Sequence, residues 1–494
     1  MALTREKPRL NSKVMRLDPA ATLCVTDLLA DADQAAREGQ FDQARELYAR
    51  VLEDDPESLD AQVGLDYMSY LMGSFSSRYG WGERKQDEQL QASRESNLRL
   101  LEKEFEEKRI RLRSLPISIL IEHTTRCNFY CPHCSKGYDP YFAEDMSEEV
   151  MNQVVERLLP TMMWACVTGF GEPTISTQYS PLMGKLVSGG VIPHFSTNTS
   201  TLTIPHIDAL VRARARVILS IDGATKETFE TIRAGGKWDR LQYVLHAIRR
   251  IRRILGGDSW FDVTFVGMRT NIHELPEMVR MVHRFELDHL KVQDYLAFGV
   301  EYDQNTLRND PEGANSYLDE AERLAEELGV TLYRPPNYET SAPKLSVHRS
   351  LWQRIRDTRS LLPTRRRFPQ RCKMPWQFAN VLMHGEVTPC CNSPRVMGNL
   401  TREPIERIWN GWRYRLFRFL VDSPVPPPEC RKCHVYEGIN QGNPGNTIAK
   451  EGFLLKLLYR IHQPISDYWK RRAASSGTPP APTYYQGKPI RILK

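Results

Sequence analysis

The stretch ISILIEHTTRCNFYCPHCSKGY, residues 117–138, decides how the rest of the chain is read. It opens on an apolar run of strand type and passes straight into a loop bearing Cys127, Cys131 and Cys134. Three thiolates leave one iron of a four-iron cubane without a protein ligand, open to a substrate or cofactor. A structural zinc ion would want a fourth donor, which His123 or His133 could supply, so zinc is the competing reading of these thiols.

Outward from this loop, residues 115–298 alternate short apolar runs with amphipathic stretches. Strands are expected at 117–124, 164–171, 192–198, 217–222, 261–267 and 290–296. Helical segments such as SEEVMNQVVERLL and TKETFETIR lie between them. Six strands alternating with helices make parallel β/α units, either an open sheet or a partial barrel. Ligands then bind at the C-terminal ends of the strands.

A second group of thiols lies at Cys372, Cys390, Cys391, Cys430 and Cys433. Cys430 and Cys433 form a two-residue hook. Four separated thiolates can complete a ligand set for an iron–sulfur cluster, and equally for zinc. Cys390 and Cys391 are adjacent, so on an extended backbone they point opposite ways. Clustered cysteines in a reducing compartment point to metal ligands rather than disulfides.

The spacing after the first strand resembles that of the radical S-adenosylmethionine (SAM) superfamily, and other segments strengthen the likeness. VTGFGEP, residues 167–173, resembles the superfamily's glycine–glutamate motif, departing from it at Phe170. FSTNTS, residues 195–200, resembles its ribose-contacting third strand. SIDGATKETFETIRAGGKWDRL, residues 220–241, resembles the fourth strand and following helix of the peptide-modifying branch. The region 372–433 resembles the auxiliary-cluster extension known as SPASM or twitch, in its single-cluster form.

The resemblance implies an α/β fold: a partial (β/α)6 TIM-type barrel, with an all-helical N-terminal segment and a small Cys-rich C-terminal domain. It implies a [4Fe-4S] cluster on Cys127, Cys131 and Cys134, SAM on the open iron, and one auxiliary [4Fe-4S] cluster. Cleavage of SAM would give a 5′-deoxyadenosyl radical that takes a hydrogen atom from the substrate. Carried over by motif, Glu172 beside Gly171 accepts from the SAM amino group, and Ser196 and Asn198 face the ribose. Ser220 and Arg233 contact the ribose or carboxylate, and the backbone at His133 meets adenine. Cys372, Cys390, Cys430 and Cys433 hold the auxiliary cluster, with Cys390 preferred over Cys391 for its offset from Gly385. A low-potential donor such as flavodoxin or ferredoxin would supply the electron.

The remaining chain sets the context. It has 494 residues, 41% hydrophobic and 26% charged, with a net charge of +6. That composition excludes a disordered or coiled-coil chain, and the charge balance does not call for nucleic acid. No apolar run approaches the ~18 residues of a membrane span, and the first residues carry no secretory signal, so a cytoplasmic protein is expected. GQFDQARELYARVLEDDP, residues 39–56, has the offsets of a tetratricopeptide hairpin, though one repeat cannot bury its own face. Expected divisions are a helical segment at 1–75, a charged linker helix at 76–112, the barrel at 113–300 and a connector at 301–365. A cluster domain at 366–440 and an amphipathic helix with a tail at 441–494 follow.

Several residues are read more plainly. Cys166 and Cys24 are expected to be inert, Cys166 as strand packing. Asp294, ending the sixth strand, is a proton-transfer candidate, with a structural role for it and for Tyr295 as the alternative. Arg249, Arg250, Arg252 and Arg253 read as a solvated face that could bind an anion. For function, the leading reading is radical chemistry on a peptide or protein side chain, giving oxidation, cross-linking or epimerisation. The alternatives are the same chemistry on a small metabolite, a methyl or sulfur transferase, and a non-enzymatic zinc-binding adaptor.

Overall fold

The computed structural model describes residues 25–73, 81, 87–134, 143–295, 303–340, 372–421, 423, 426–431 and 433. Cys24, the stretch 341–371 of the connector and residues 434–494, with the expected amphipathic helix and tail, lie outside the described residues. Two compact units divide the chain: Met1–Ser76 with His246–Gly256, and Ser77–Leu245 with Gly257–Lys494.

The larger unit is built on one ten-stranded sheet. Its first six strands are β1 (Ser118–Ile121), β2 (Trp164–Cys166), β3 (Ile192–Thr197), β4 (Arg216–Ser220), β5 (Trp260–Gly267) and β6 (His289–Asp294). They lie side by side in chain order and pair in parallel. Each right-handed crossover therefore advances the chain in one direction, which keeps the helices on one face. The other face is left for ligands. The helices that follow these strands start where local chemistry dictates. Ser147 caps Glu148–Leu158, its side chain accepting from Val150 N–H, with Glu148 and Glu149 in the first turn. Thr225 caps Lys226–Ile232 in the same way.

Burial alternates along the strands. In β4, Val217 and Leu219 are buried while Ile218 and Ser220 are half-buried; in β3, Phe195 and Thr197 are buried while His194 and Ser196 are half-buried. The buried set faces the helices and the half-buried set lines the inner face.

The sheet is longer than the six strands read from sequence. β7 (Thr331–Tyr333), from the connector, adds in parallel to β6. β8 (Phe378–Val381) pairs in parallel with β1, with Ser118 opposite Phe378 and Ile121 opposite Val381. β9 (Glu386–Thr388) and β10 (Gly398–Asn399) then turn back antiparallel. The β8–β9 turn passes through Gly385 at φ +85°, a left-handed position that glycine takes without strain. The Cys-rich region is thus a continuation of the barrel sheet rather than a separate layer. It is fixed by Trp376 Nε1–H donating to Arg109 O at 2.8 Å and by Asn410 bonding Leu112 in both directions at 2.8 Å.

The smaller unit contains α1 (Val25–Arg37), α2 (Phe41–Asp54) and α3 (Leu59–Met72), together with His246–Gly256, which takes in the last part of the helix Trp238–Leu255. Leu28, Val51 and Ala61 form its apolar core. A Cβ on Gly64 would stand 2.6 Å from the Tyr48 ring, so α2 and α3 meet where only glycine fits. Of the arginine face expected to be solvated, Arg253 is exposed, but Arg249 and Arg250 are corrected here. Arg250 is buried, its Nη1 2.5 Å from Asp33 Oδ1 and its Nη2 3.1 Å from Asp60 Oδ1. Arg249 Nη2 lies 2.5 Å and His246 Nδ1 3.0 Å from Asp60. The charge pattern of one helix did not show that acids on α1 and α3 would complement it. Tyr48 Oη donates to Asp33 at 2.6 Å, and burial with the Asp33 charge pushes its pKa up.

Candidate active site

The loop of Cys127, Cys131 and Cys134 leaves β1 and is tied to the neighbouring strand ends. Thr124 Oγ1 donates to Asp145 at 2.6 Å, Glu172 N–H to Arg126 O at 2.7 Å, and Tyr130 N–H to Ala234 O at 2.8 Å. A Cβ on Gly171 would lie 2.4 Å from Arg126 O and 2.8 Å from Thr124 O. The glycine of the GFGEP segment is therefore what lets the cysteine loop close against β2. Asn198, just past β3, donates to Asn128 Oδ1 at 2.9 Å and has its Nδ2 4.0 Å from Cys127 Sγ.

Glu172 is a buried hub. Its Oε1 accepts from Thr174 N–H, Thr174 Oγ1 and Thr197 Oγ1, at 3.2, 2.5 and 2.7 Å; its Oε2 accepts from Asn198 N–H at 2.6 Å. Burial raises its pKa against the pull of these donors. Three of its four bonds fall on Oε1, so the accepting capacity that remains is mainly on Oε2.

Arg233 and His133 share a partner that the sequence reading passed over. Arg233 Nε stands 2.6 Å from Asp222 Oδ2, and His133 Nε2 stands 3.1 Å from the same oxygen. Asp222 is fully buried, and its Oδ1 accepts from Val266 N–H at 2.8 Å. Burial alone would raise its pKa, but Arg233 and His133 hold it below the ordinary carboxylate range. Arg233 Nη1 reaches 4.0 Å from Cys131 Sγ. Burial pushes the Cys131 thiol up to about 11, eased by Arg233 and reinforced by Cys134, Asp222 and Cys127. The signal for Asp222 was its place in the quoted SIDG segment, at the C-terminal end of β4. Ser196 and Ser220 sit on the inner face of β3 and β4, half-buried.

Glu122 was also missed. It follows β1, is buried, accepts from Phe170 N–H at 3.3 Å and packs against Gly169. Burial pushes its carboxyl up to about 7, opposed by Phe170 N–H and reinforced by Glu386. His123 points elsewhere, with its Nε2 3.3 Å from Pro173 O. Asp294 is not part of the cysteine site. It accepts from Tyr338 Oη and lies 3.4 Å from Arg308 Nη2. Tyr295 packs with Ile232 and Met268.

The second thiol set comes from the segments around β8, β9 and β10. Burial pushes Cys390 up to about 12, with Cys391, Cys372 and Cys433 adding to the rise. Cys430 is raised by burial and by Glu429, Cys390, Cys372 and Cys433. Cys372, Cys390, Cys430 and Cys433 therefore feel one another. Cys391 is exposed and raised by burial and Cys433. Cys166 lies on the half-buried inner face of β2, and its pKa of about 12 comes from burial and from Cys391. Among the described residues no three His, Cys, Asp or Glu side chains close on one point. Thiols are donors that bound iron would turn into thiolates. Cysteine sulfur is the donor type that the implied iron–sulfur clusters take.

Comparison with known proteins agrees with this chemistry. Residues 121–282 match a family described as the radical SAM superfamily, and residues 372–434 one described as an iron–sulfur cluster-binding domain, SPASM. The chain is 26% identical over 173 residues to the mycofactocin maturase MftC of Mycobacterium tuberculosis (strain CDC 1551 / Oshkosh), which covers 34% of this chain and only 42% of that protein. It is 25% identical over 336 residues to the PqqA peptide cyclase of Gluconobacter oxydans, covering 65% of this chain and 84% of that one. Among solved structures, Streptococcus suis SuiB bound to S-adenosylmethionine gives a TM-score of 0.48 at 11% identity, covering 76% of this chain and 92% of that chain. Residues 121–282 thus form a radical SAM domain, and residues 372–434 a SPASM iron–sulfur cluster-binding domain that follows it.

Proposed function

We propose that this chain is a cytoplasmic enzyme that cleaves SAM reductively and acts on a peptide or protein side chain. When bound, the cluster and SAM supply a radical able to take a hydrogen atom from the substrate. The observation that carries the reading is the Asp222–Arg233–Cys131 line. It places a fixed guanidinium beside the three-thiol loop at the C-terminal end of the sheet.

In this reading Cys127, Cys131 and Cys134 hold the first cluster. Arg233, steadied by Asp222, presents its fork to the SAM carboxylate, a planar group that suits a bidentate donor. Glu172 Oε2 accepts from the SAM amino group, and Asn198, Ser196 and Ser220 border the ribose. The backbone at His133 meets the adenine. Cys372, Cys390, Cys430 and Cys433 hold the second cluster, and an electron arrives from a donor of the flavodoxin or ferredoxin kind. Glu122, just past the strand that pairs with both β2 and β8, holds a proton near neutral pH. The peptide substrate is supported by the names of the relatives, a maturase and a peptide cyclase.

The test is co-expression with short peptides encoded beside the gene, followed by mass spectrometry. A peptide that loses two hydrogen atoms, or whose residue is epimerised, only when Cys127, Cys131 and Cys134 are intact supports the reading. Unchanged peptides, with 5′-deoxyadenosine release stimulated by a small metabolite instead, would move the substrate to that class.

A further inference from the structure

The inner face of the sheet, opposite the helices, carries cations that the cysteine site does not use. Side chains on one face of a strand recur every second residue. That face holds Arg216 and Ser220 on β4, Trp260 and Asp262 on β5, and His289 and Lys291 on β6. Arg216 lies between His194 of β3 and Trp260 in the register. Ser220, Thr264 and Lys291 form a second row across β4, β5 and β6. Neighbouring strands are about 4.8 Å apart, so the backbone at Lys291 stands about 10 Å from that at Ser220. Burial lowers the pKa of His194, and Arg216 and Lys291 lower it further. Both cations thus act on one ring, although Lys291 is three strands away from it: the sheet brings them over one hollow.

The acids of this face are engaged elsewhere. Asp262 Oδ1 lies 2.8 Å from His289 Nδ1. Burial raises the pKa of Asp262, His289 pulls it back, and Arg216 contributes the smallest pull. Asp222 is held by Arg233 and His133, and Glu122 keeps its proton near neutral pH. Arg216 rests over the Trp260 ring, 5.3 Å from its centroid. Among the described residues neither Arg216 nor Lys291 has a carboxylate within ion-pair distance, and both are exposed. Two uncompensated cations over one hollow attract an anion, and a guanidinium offers a carboxylate two parallel donors. The anions that an unmodified peptide carries are carboxylates.

We propose that Arg216 and Lys291 form a carboxylate-binding site on the inner face of the sheet, which anchors an acidic side chain or the C-terminal carboxylate of the peptide substrate beside Ser220. The site rests on the peptide reading given above and deepens it. An anchor about 10 Å from the ribose edge fixes which residue of the peptide comes within reach of the radical. Arg216 and Lys291 are then specificity residues: they choose the peptide and its register and take no part in the hydrogen transfer.

Calorimetric titration of the full-length, reconstituted protein with SAM present tests this with three probes. They are the acetylated and amidated pentapeptide AAEAA, its neutral counterpart AAQAA, and AAQAA with a free C-terminal carboxylate. At least one acidic probe is expected to bind about tenfold or more tighter than the neutral one, and the probe that gains names the source of the carboxylate. Raising sodium chloride from ~0.1 to ~0.5 M should narrow the preference, because exposed charges are screened. The double variant Arg216→Gln/Lys291→Gln changes only exposed positions. It should keep the wild-type melting temperature and lose the preference. Equal affinity for all three probes, or a preference that survives in the double variant, would overturn the proposal. Peptides modified equally well in co-expression by wild type and double variant would also overturn it, and would leave the peptide reading standing. Glutarate bound through Arg216 and Lys291, with neither acidic peptide bound, would keep the cation site and overturn the peptide reading instead.

Discussion

Asp222 and Arg233 form a buried ion pair at 2.6 Å, and the free edge of the guanidinium lies beside the Cys131 thiol. A guanidinium in this position cannot swing toward solvent, because its partner is fully buried and is held at its second oxygen by Val266 N–H. The geometry of the cofactor pocket is thus set one layer beneath the residues that would touch SAM.

Asp222→Ala should leave Arg233 buried without a counter-charge. Breaking a buried pair costs about 3–5 kcal/mol, far more than a surface ion pair. We expect a matching loss in urea denaturation of the apo protein. SAM binding by calorimetry should weaken by about tenfold or more. Unchanged affinity in a folded variant would show that Asp222 supports the fold but not the pocket.

Glu122 makes stability depend on pH. Its carboxyl titrates at about 7 in the folded chain against 4.5 when unperturbed. Between those values the folded state binds more protons than the unfolded state, so stability falls as pH rises. The fall attributable to this group amounts to roughly 3 kcal/mol. The groups facing it are Phe170 N–H and the Glu386 charge. Glu122→Gln should remove that slope and make the apo protein more stable than wild type at pH 8, as read by urea midpoints. An unaltered slope would place the titration elsewhere.

Gly171→Ala drives a Cβ to 2.4 Å from Arg126 O, a backbone atom that moves only with the cysteine loop. Iron after anaerobic reconstitution should fall from about eight to about four per chain. Retention of all iron would mean that the loop adjusts without losing its cluster.

In the smaller unit, Asp33→Ala should destabilise α1–α3 by about 3–5 kcal/mol, since Arg250 is 1% exposed and loses its nearest partner. Asp33→Ala combined with Arg250→Met should recover part of that loss. Limited proteolysis of residues 25–73 would report it, and additive losses in the double variant would show that the two residues act separately.

How much of this could be read from the chain alone varied with the kind of signal. The six strand positions and the three-cysteine loop were legible because period-two burial and thiol spacing are local patterns. β7 was not, because a three-residue strand at the sheet edge carries too few residues to show a period; the segment between Cys372 and Cys390 read as β-like with a turn at HGEV, but its parallel pairing with β1 is a property of the fold. Asp222 and Glu122 were missed because each acts through burial, and burial of a carboxyl is a property of the fold. Arg250 was misread for the same reason: its partners Asp33 and Asp60 lie about two hundred residues away. The choice of Cys390 over Cys391 came from its offset to Gly385 and rests on the resemblance.

The most direct test of the central claim is iron and acid-labile sulfide per chain after anaerobic reconstitution, measured together with SAM cleavage. Wild type is compared with Cys127→Ala/Cys131→Ala/Cys134→Ala. Two clusters predict about eight irons in wild type and about four in the variant, with 5′-deoxyadenosine released by wild type alone. A colourless wild-type protein that holds zinc and releases no 5′-deoxyadenosine would contradict the account.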